Sequence, residues 1–402
     1  MIVVGGSYLE TVLYPTFSST LIGSGVRAAS TLGTDATHLV TIATPSEAKM
    51  VSPQLAATTK LQLTERGDSV DFRYLDLALP PQVVGLPASM QGTVECDFPD
   101  DDVLAFGLAE LPEGYPVTAR RVVVDPQSPG SASARFLEQI DAEQIAVCAN
   151  RKEARLITGL DDPMDAARAL LDRPCVKAVV VKCGALGYVV ADASAVTWVH
   201  ATPSLLVRAL GSGDVFSAVF AREWFAGVCA ADAASTASAA VASSATGPGT
   251  SPPRANLPLH PGYAPKVYLA GPFFTLAERW LVERVRSILA GIGARVFSPI
   301  HDVGPGDIEV AQKDLDGLDS CDVVLALLDG FDPGTIYETG WAARESIPIV
   351  GFASEQHSKE TKMLVGMGAE VHSDLTTALY RAVWAGQGLA LTPGIDPGRS
   401  NV

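Results

Sequence analysis

Residues 247–265 read GPGTSPPRANLPLHPGYAP, and no regular element can be built on them. Proline fixes φ and removes backbone donors, while glycine loosens the chain, so neither helical nor strand periodicity survives such a stretch. It reads as an ordered or semi-rigid linker. Lying inside a chain of 402 residues, it implies two cores rather than one. A second low-structure stretch begins near residue 387 and ends TPGIDPGRSNV. The expected organisation is a domain over 1–248, the linker at 249–265, a second domain over 266–386, and a tail over 387–402.

On both sides of the linker, short apolar runs alternate with helix-like segments. IVVGG at 2–6, HLVTIA at 38–43, RVVVDP at 121–126, QIAVCA at 144–149 and KAVVVKCG at 177–184 read as buried strands. SASARFLEQI and PMDAARALLD carry helical patterns between them. Continuous rather than alternating apolar strands indicate a parallel sheet covered on both faces. Residues 61–80 alternate polar and apolar and read as an antiparallel excursion. After the linker come VYLAG, a helix over about 276–291, ARVFSP, a helix near 308–319, DVVLALL, a helix from about 336, and IPIVGF. The fold class is therefore α/β, with two doubly wound parallel-sheet domains, the second smaller. Ligands belong beyond the carboxyl ends of such strands.

The net charge of −16 argues against a nucleic-acid polymer as partner, because phosphate backbones need a positive face. Nucleotides remain possible ligands through backbone amides. Six cysteines are scattered without metal-ligand spacing, and read as reduced, buried thiols. The MIVVGGS start lacks the pattern of a signal peptide, and no apolar stretch is long enough to span a bilayer. A cytoplasmic protein without a membrane partner is expected.

The richest stretch is CDVVLALLDGFDPGTIYETGWAARESIPIVGF. A buried strand runs into a loop of Asp and Gly, then into a helix carrying Glu338 in its first turn. Gly330 and Gly334 let backbone approach a ligand. Asp329, Asp332 and Glu338 would cluster at the strand's carboxyl end, joined by Tyr268, Gly271, Pro272 and Phe273 and by the acidic run Asp314, Asp319, Asp322. Thr335-x-x-Glu338 also has the spacing of a capping box, which would make Glu338 structural. VYLAGPFF, SPIHDVG and DLDGLDSCDVVLALLDGFDPGTIYETGWA together resemble the nucleoside 2-deoxyribosyltransferases over about residues 266–352. The resemblance implies a flavodoxin-like fold in which Glu338 attacks C1′ of the sugar. It implies that Asp314 and Asp332 orient the sugar and assist base departure, that Tyr268 stands beside the nucleophile, and that Gly334 and Thr335 border the substrate. Asp322 falls at the strand edge. Asn401 would match a residue that completes a neighbouring site in the family. No cofactor is implied for glycosidic cleavage. Positive charge builds on the sugar as such a bond breaks, so one carboxylate can trap it while another protonates the leaving base.

Upstream, VVVDPQSPGS, CANRKEARLITGL, VVVKCGALGYVV and VRALGSGDVFSAVFAREWFAG occur in the order seen in the ribokinase-like (PfkB) sugar and nucleoside kinases, which they resemble over most of residues 1–250. The resemblance implies Asp214 as catalytic base and Gly211, Ser212 and Gly213 as the anion hole. It implies Asn150 and Glu153 as organisers of Mg²⁺ through water, with ATP and Mg²⁺ required if the domain is active. Asn150-x-x-Glu153 is equally a capping box, and Asp at a helix start is ordinarily a cap. The sequence departs from the family in two places. Arg208-Ala209-Leu210 precedes GSGD where acidic and hydroxyl groups are usual. IGSGVRAAS offers Gly23 and Gly25 but puts Arg27 where a sugar-holding asparagine is expected, with Glu10 standing in for a sugar-binding aspartate. Either the substrate is unusual and anionic, matched to Arg27, or a ligand is bound without being phosphorylated.

Three whole-chain readings follow. One is a nucleoside or nucleotide-processing enzyme that cleaves or exchanges an N-glycosidic bond, with a kinase-like domain that phosphorylates or senses a sugar or nucleoside. Another is a ligand-gated effector that depletes nucleotides or NAD. The third is a non-catalytic nucleotide-binding regulator. A homo-oligomer is expected, from the sites shared between subunits in the transferase family and from the excursion at 61–80.

Overall fold

The computed structural model describes residues 1–14, 16–76, 79–87, 94–127, 132–246, 260–306, 308–355 and 359–395. The chain divides into two compact units. The first holds Met1–Cys183, Tyr188–Val199 and Ala209–Val241; the second holds Gly184–Gly187, His200–Arg208 and Ala242–Val402. Residues 249–259 of the expected linker, and Asn401, lie outside the described residues.

The first unit contains β1 (Ile2–Val4), β2 (Leu9–Val12), β3 (Ser18–Leu21), β4 (His38–Ala43), β5 (Lys60–Glu65), β6 (Asp71–Tyr74) and β7 (Gln82–Val84). These are followed by β8 (Asp97–Phe106), β9 (Val117–Asp125), β10 (Ile140–Asn150), β11 (Val176–Lys182), β12 (Tyr188–Asp192) and β13 (Val196–Val199). Its helices are α1 (Gly23–Leu32), α2 (Pro45–Val51), α3 (Ala132–Glu138), α4 (Arg151–Thr158), α5 (Pro163–Leu171), α6 (Ser212–Phe225) and, as far as Val241, α7 (Ala230–Thr246). Nine strands form one sheet in the order β13-β12-β11-β10-β9-β8-β1-β4-β5. The seven strands from β11 to β5 run parallel, and β12 and β13 extend the sheet antiparallel. Apolar runs account for this: Val122, Val123 and Val124 are wholly buried, as a strand covered on both faces requires. Burial of each such side chain contributes about 1.5–3 kcal/mol. Helix α1 docks where Gly25 leaves room for backbone; a Cβ there would lie 2.5 Å from the Gly5 carbonyl oxygen.

A small sheet, β3-β2-β6-β7, stands apart from the large one. Here the stretch at 61–80 differs from the expected antiparallel excursion. Its first part, β5, is the edge strand of the large sheet and runs parallel to β4, while β6 pairs parallel with β2 and antiparallel with β7. Alternating polarity in β5 reflects its edge position, where residues are only partly buried, rather than antiparallel pairing.

The second unit contains β14 (Lys266–Ala270), β15 (Arg295–Phe297), β16 (Val323–Leu327), β17 (Ile349–Phe352), β18 (Glu370–His372) and β19 (Gly394–Ile395). Its helices are α8 (Leu276–Ile292), α9 (Pro299–Asp302), α10 (Ile308–Asp319), α11 (Pro333–Arg344), α12 (Lys362–Gly366) and α13 (Leu375–Gly386). The sheet order is β15-β14-β16-β17-β18-β19, parallel throughout. Order reverses between β14 and β16, and the crevice beyond their carboxyl ends is where such a sheet binds ligands. The stretch from 387 is not a loose tail in its described part. Gln387 and Leu389 are buried, the Thr392 amide donates to Glu370 Oε1 at 2.5 Å, and β19 pairs with β18.

All six cysteines are free thiols. Four are buried as expected, but Cys175 and Cys229, both in the first unit, are exposed. No helix among the described residues is long and apolar enough to cross a membrane.

Candidate active sites

In the second unit, β14 delivers Tyr268 and α11 delivers Glu338 to the reversal point. Tyr268 is fully buried, and its hydroxyl donates to Glu338 Oε1 at 2.7 Å. Glu338 lies in the second turn of α11 rather than the first, because the helix begins at Pro333. Asp332, not Thr335, is the N-cap: its Oδ2 accepts from the Thr335 amide at 2.8 Å and from the Thr335 hydroxyl at 3.1 Å. The capping box that spacing allows for Thr335 and Glu338 is therefore not formed, and the Glu338 carboxylate turns to Tyr268 instead. Burial pushes the Glu338 pKa up to about 7; the Tyr268 hydrogen bond opposes this, and the charges of Asp314 and Asp332 add to it. Burial also raises the carboxyl of Asp314, whose Oδ1 is buried without a hydrogen-bond partner. Gly330 and Phe331 both have positive φ, 82° and 48°, so the loop holds a non-glycine residue in the left-handed region.

The remaining acidic groups make local hydrogen bonds. Asp329 Oδ1 accepts from the Ser354 amide at 2.8 Å and the Ser354 hydroxyl at 3.0 Å, tying the loop to the end of β17. Asp319 Oδ1 accepts from Trp341 Nε1 at 2.8 Å, joining α10 to α11. Asp322 Oδ2 accepts from the Lys266 amide at 2.6 Å at the start of β14. Gly271 and Pro272 are buried in the turn after β14; a Cβ on Gly271 would press on Leu327 at 3.1 Å. Half-buried Phe273 accepts Arg279 Nε on its carbonyl at 2.8 Å. Gly334 leaves space beside the cap, where a Cβ would sit 3.1 Å from Asp332 Oδ2.

In the first unit, Gly211 adopts φ 74° and opens α6 without a side-chain cap. Asp214 is buried and does not cap the helix. Arg27 Nη1 donates to its Oδ2 at 2.5 Å, and Gln127 Nε2 donates to its Oδ1 at 2.5 Å. Ser212 donates its hydroxyl to the Ala209 carbonyl at 2.8 Å. The Gly213 backbone faces Lys182, whose Nζ lies 3.5 Å from a Cβ built there. Lys182 donates to Asp125 Oδ2 at 2.6 Å, and Ser217 donates to the same oxygen at 2.7 Å. Burial works against the Lys182 charge, but Asp125 and Glu153 outweigh it and hold the ammonium above its ordinary pKa. Asn150 and Glu153 form a full capping box on α4, with bonds of 2.8 and 2.9 Å. Burial, then Asp125, push the Glu153 carboxyl up to about 7. With both side chains bound to each other's backbone, the pair does not fit direct ligation of Mg²⁺. Among the described residues no cluster of three or more His, Cys, Asp or Glu groups could hold a metal ion.

Residues 267–377 match the family model of nucleoside 2-deoxyribosyltransferase, and residues 116–256 match that of the pfkB family carbohydrate kinases. The chain thus carries two segments in tandem, each similar to one of these families. Among solved structures it is similar to a ribokinase of Thermotoga maritima (18% identity, 62% of this chain and 93% of that one, TM-score 0.48). It is also similar to the fructokinase of Vibrio cholerae O395 with fructose, ADP and calcium bound (15%, 63% and 96%, TM-score 0.48). Phosphofructokinase-2 of Escherichia coli in its tetrameric inhibited form is a third (15%, 61% and 93%, TM-score 0.45). No curated protein matches the chain.

The transferase-type segment thus gathers Tyr268, Glu338, Asp314 and Asp332 into one electrostatic neighbourhood, whereas Asp329 is engaged by Ser354. The first unit brings Asp214 of the pfkB-type segment to Arg27, across 187 positions of sequence, and Arg27 in turn to Glu10. Gln127 and Lys182 are additions that sequence reading did not single out. Both sit at carboxyl ends of strands, β9 and β11, which is the signal that could have flagged them.

Proposed function

We propose that the transferase-type segment cleaves or exchanges the N-glycosidic bond of a nucleoside, with Glu338 as nucleophile. The observation carrying this reading is the Tyr268–Glu338 hydrogen bond of 2.7 Å, which holds a carboxylate of raised pKa beside a second, unpartnered carboxyl, Asp314. Glu338 attacks C1′ as the bond to the base breaks, and the electron pair leaves with the base. Asp314 supplies the proton that the departing base needs. Asp332 adds negative charge near the sugar as its positive charge develops. A second base attacking the glycosyl-enzyme completes transfer; water completes hydrolysis. This chemistry needs no cofactor. The charged groups acting on Glu338 are carboxylates, which favours an uncharged nucleoside over a monophosphate or NAD.

The test is chromatography of the protein with deoxynucleosides, deoxynucleoside monophosphates and NAD, with and without a free acceptor base. Base released by wild type but not by Glu338→Ala supports the reading, and a new nucleoside in the acceptor lanes makes the enzyme a transferase. Release undiminished in Glu338→Ala removes Glu338 from the chemistry.

The pfkB-type segment is read as a sugar or nucleoside site in which Asp214 is the base, with ATP as phosphoryl donor. The small sheet leaves Leu13, Phe17 and Leu75 exposed, which supports a contact with a second copy of the chain. Sedimentation of wild type against Phe17→Glu tests that assembly; identical masses count against it.

A further inference from the structure

Asp214 is the carboxylate that phosphoryl transfer would require, and both of its oxygens are occupied. Arg27 Nη1 holds Oδ2 and Gln127 Nε2 holds Oδ1, each at 2.5 Å. The other terminal nitrogen of Arg27 donates to Glu10 Oε2, so one guanidinium bridges two carboxylates. None of the side chains of Arg27, Asp214 and Glu10 is more than 14% exposed. The backbone is shaped around the bridge. A Cβ on Gly211 would meet Nε, Cζ and Cδ of Arg27 at 2.1–2.5 Å, so only glycine at the mouth of α6 leaves room for the arginine. Burial opposes the charge of Arg27, but Asp214 and Glu10 outweigh it and raise its pKa. Tyr8 and Tyr74, both partly buried, feel both carboxylates and close the cluster from the side of the small sheet.

A carboxylate so held is fixed on two donors and is not free to turn toward an acceptor hydroxyl. A neutral sugar or nucleoside brings only dipoles to displace Arg27, and stripping a buried charge of its partner weakens binding on the order of 100-fold. A ligand bearing phosphate or carboxylate exchanges one charged pair for another. We propose that Arg27 is a latch on Asp214, closed to neutral sugars and nucleosides and released by an acceptor whose own anionic group takes over the guanidinium. The inference rests on the pfkB-type reading of Asp214. Once freed, Asp214 takes the proton of the acceptor hydroxyl while that oxygen bonds to the γ-phosphorus of ATP. The bond from γ-phosphorus to the bridging oxygen breaks, and ADP leaves with the electron pair.

The experiment measures ADP formation from ATP and Mg²⁺ by the full chain, carried in a Glu338→Ala background so that acceptors are not cleaved. Acceptors are ribose, fructose and uridine, each beside its monophosphate. The protein that keeps Arg27 should use the phosphorylated acceptors at least about 10-fold faster than the neutral ones. Arg27→Asn should reverse the preference, and Asp214→Asn should abolish both activities. Arg27→Lys, which keeps charge but lacks the planar fork held between the two carboxylates, serves if Arg27→Asn melts early, and should likewise gain neutral acceptors. The latch is overturned if the protein that keeps Arg27 and its Arg27→Asn variant share one acceptor pattern, silence included, or if both use neutral acceptors equally well. ADP formation that survives Asp214→Asn would instead overturn the pfkB-type reading beneath it.

Discussion

Glu338 and Tyr268 set what can be measured at the scale of single residues. A nucleophilic carboxylate works only when ionised, and this one titrates at about 7 because burial, Asp314 and Asp332 outweigh the Tyr268 hydrogen bond. The rate of base release should therefore rise with pH through about 7 and fall again at higher pH, as Asp314 loses the proton it donates to the base. Tyr268→Phe removes a donor that favours the ionised form, so the acid limb should move to higher pH; a profile unmoved by the substitution would separate the phenol from the nucleophile. The same raised pKa acts on stability. A carboxyl at about 7 when folded and 4.5 when unfolded favours the folded state fully below 4.5 and loses that advantage as pH rises through 7. Glu338→Gln, which can still accept from Tyr268, should thus stabilise the second unit by roughly 3 kcal/mol at pH 8 and by nothing near pH 4. Urea titrations at the two pH values check it.

At the scale of elements, the site depends on how α10, α11 and β14 meet. Phe297 stacks on Tyr268 at 5.5 Å between centroids, and Gly317 of α10 makes room for that ring: a Cβ there would lie 2.1–2.7 Å from three of its atoms. Gly317→Ala should cost about 1–3 kcal/mol through overpacking, read as a lower urea midpoint at unchanged slope. Much of this architecture was legible in the sequence, and the failures have physical reasons. Unbroken apolar runs such as AVVV at 178–181 suit strands covered on both faces, because they are short and β-branched. Capping was less legible. Thr335 and Asp332 both have the chemistry of a cap, and the choice fell to Asp332 because Pro333, at the first helical position, starts the helix three residues earlier. The edge strand β5 misled because half-burial at an edge produces the same alternation as an antiparallel hairpin. The bridge from Arg27 to Asp214 was invisible: it spans 187 positions and is set by packing of α1 against α6, not by any local pattern.

For the molecule as a whole, two units with separate sheets should not unfold as one. Glu370 offers a way to move one transition alone. It is paired with Arg381 through two bonds, of 2.7 and 2.5 Å, and both side chains are buried. Burial would raise its pKa, yet His372, Arg381 and the Thr392 amide hold it down at about 2. Glu370→Gln leaves Arg381 uncompensated and should lower the stability of the second unit by about 3–5 kcal/mol at pH 7, shifting one calorimetric transition and not the other. Because a lowered carboxyl pKa stabilises only above its unfolded value, the difference should shrink as pH falls from 4.5 toward 2.

The uneven exposure of the thiols gives the native sequence a built-in spectroscopic asymmetry. Cys321, the sole cysteine of the second unit, is buried, whereas Cys175 and Cys229 face solvent on the first. A maleimide dye added to the unaltered protein would therefore colour the first unit and leave the second dark. Fluorescence changes on adding a ligand would then report events on one side of the fusion without any engineered handle.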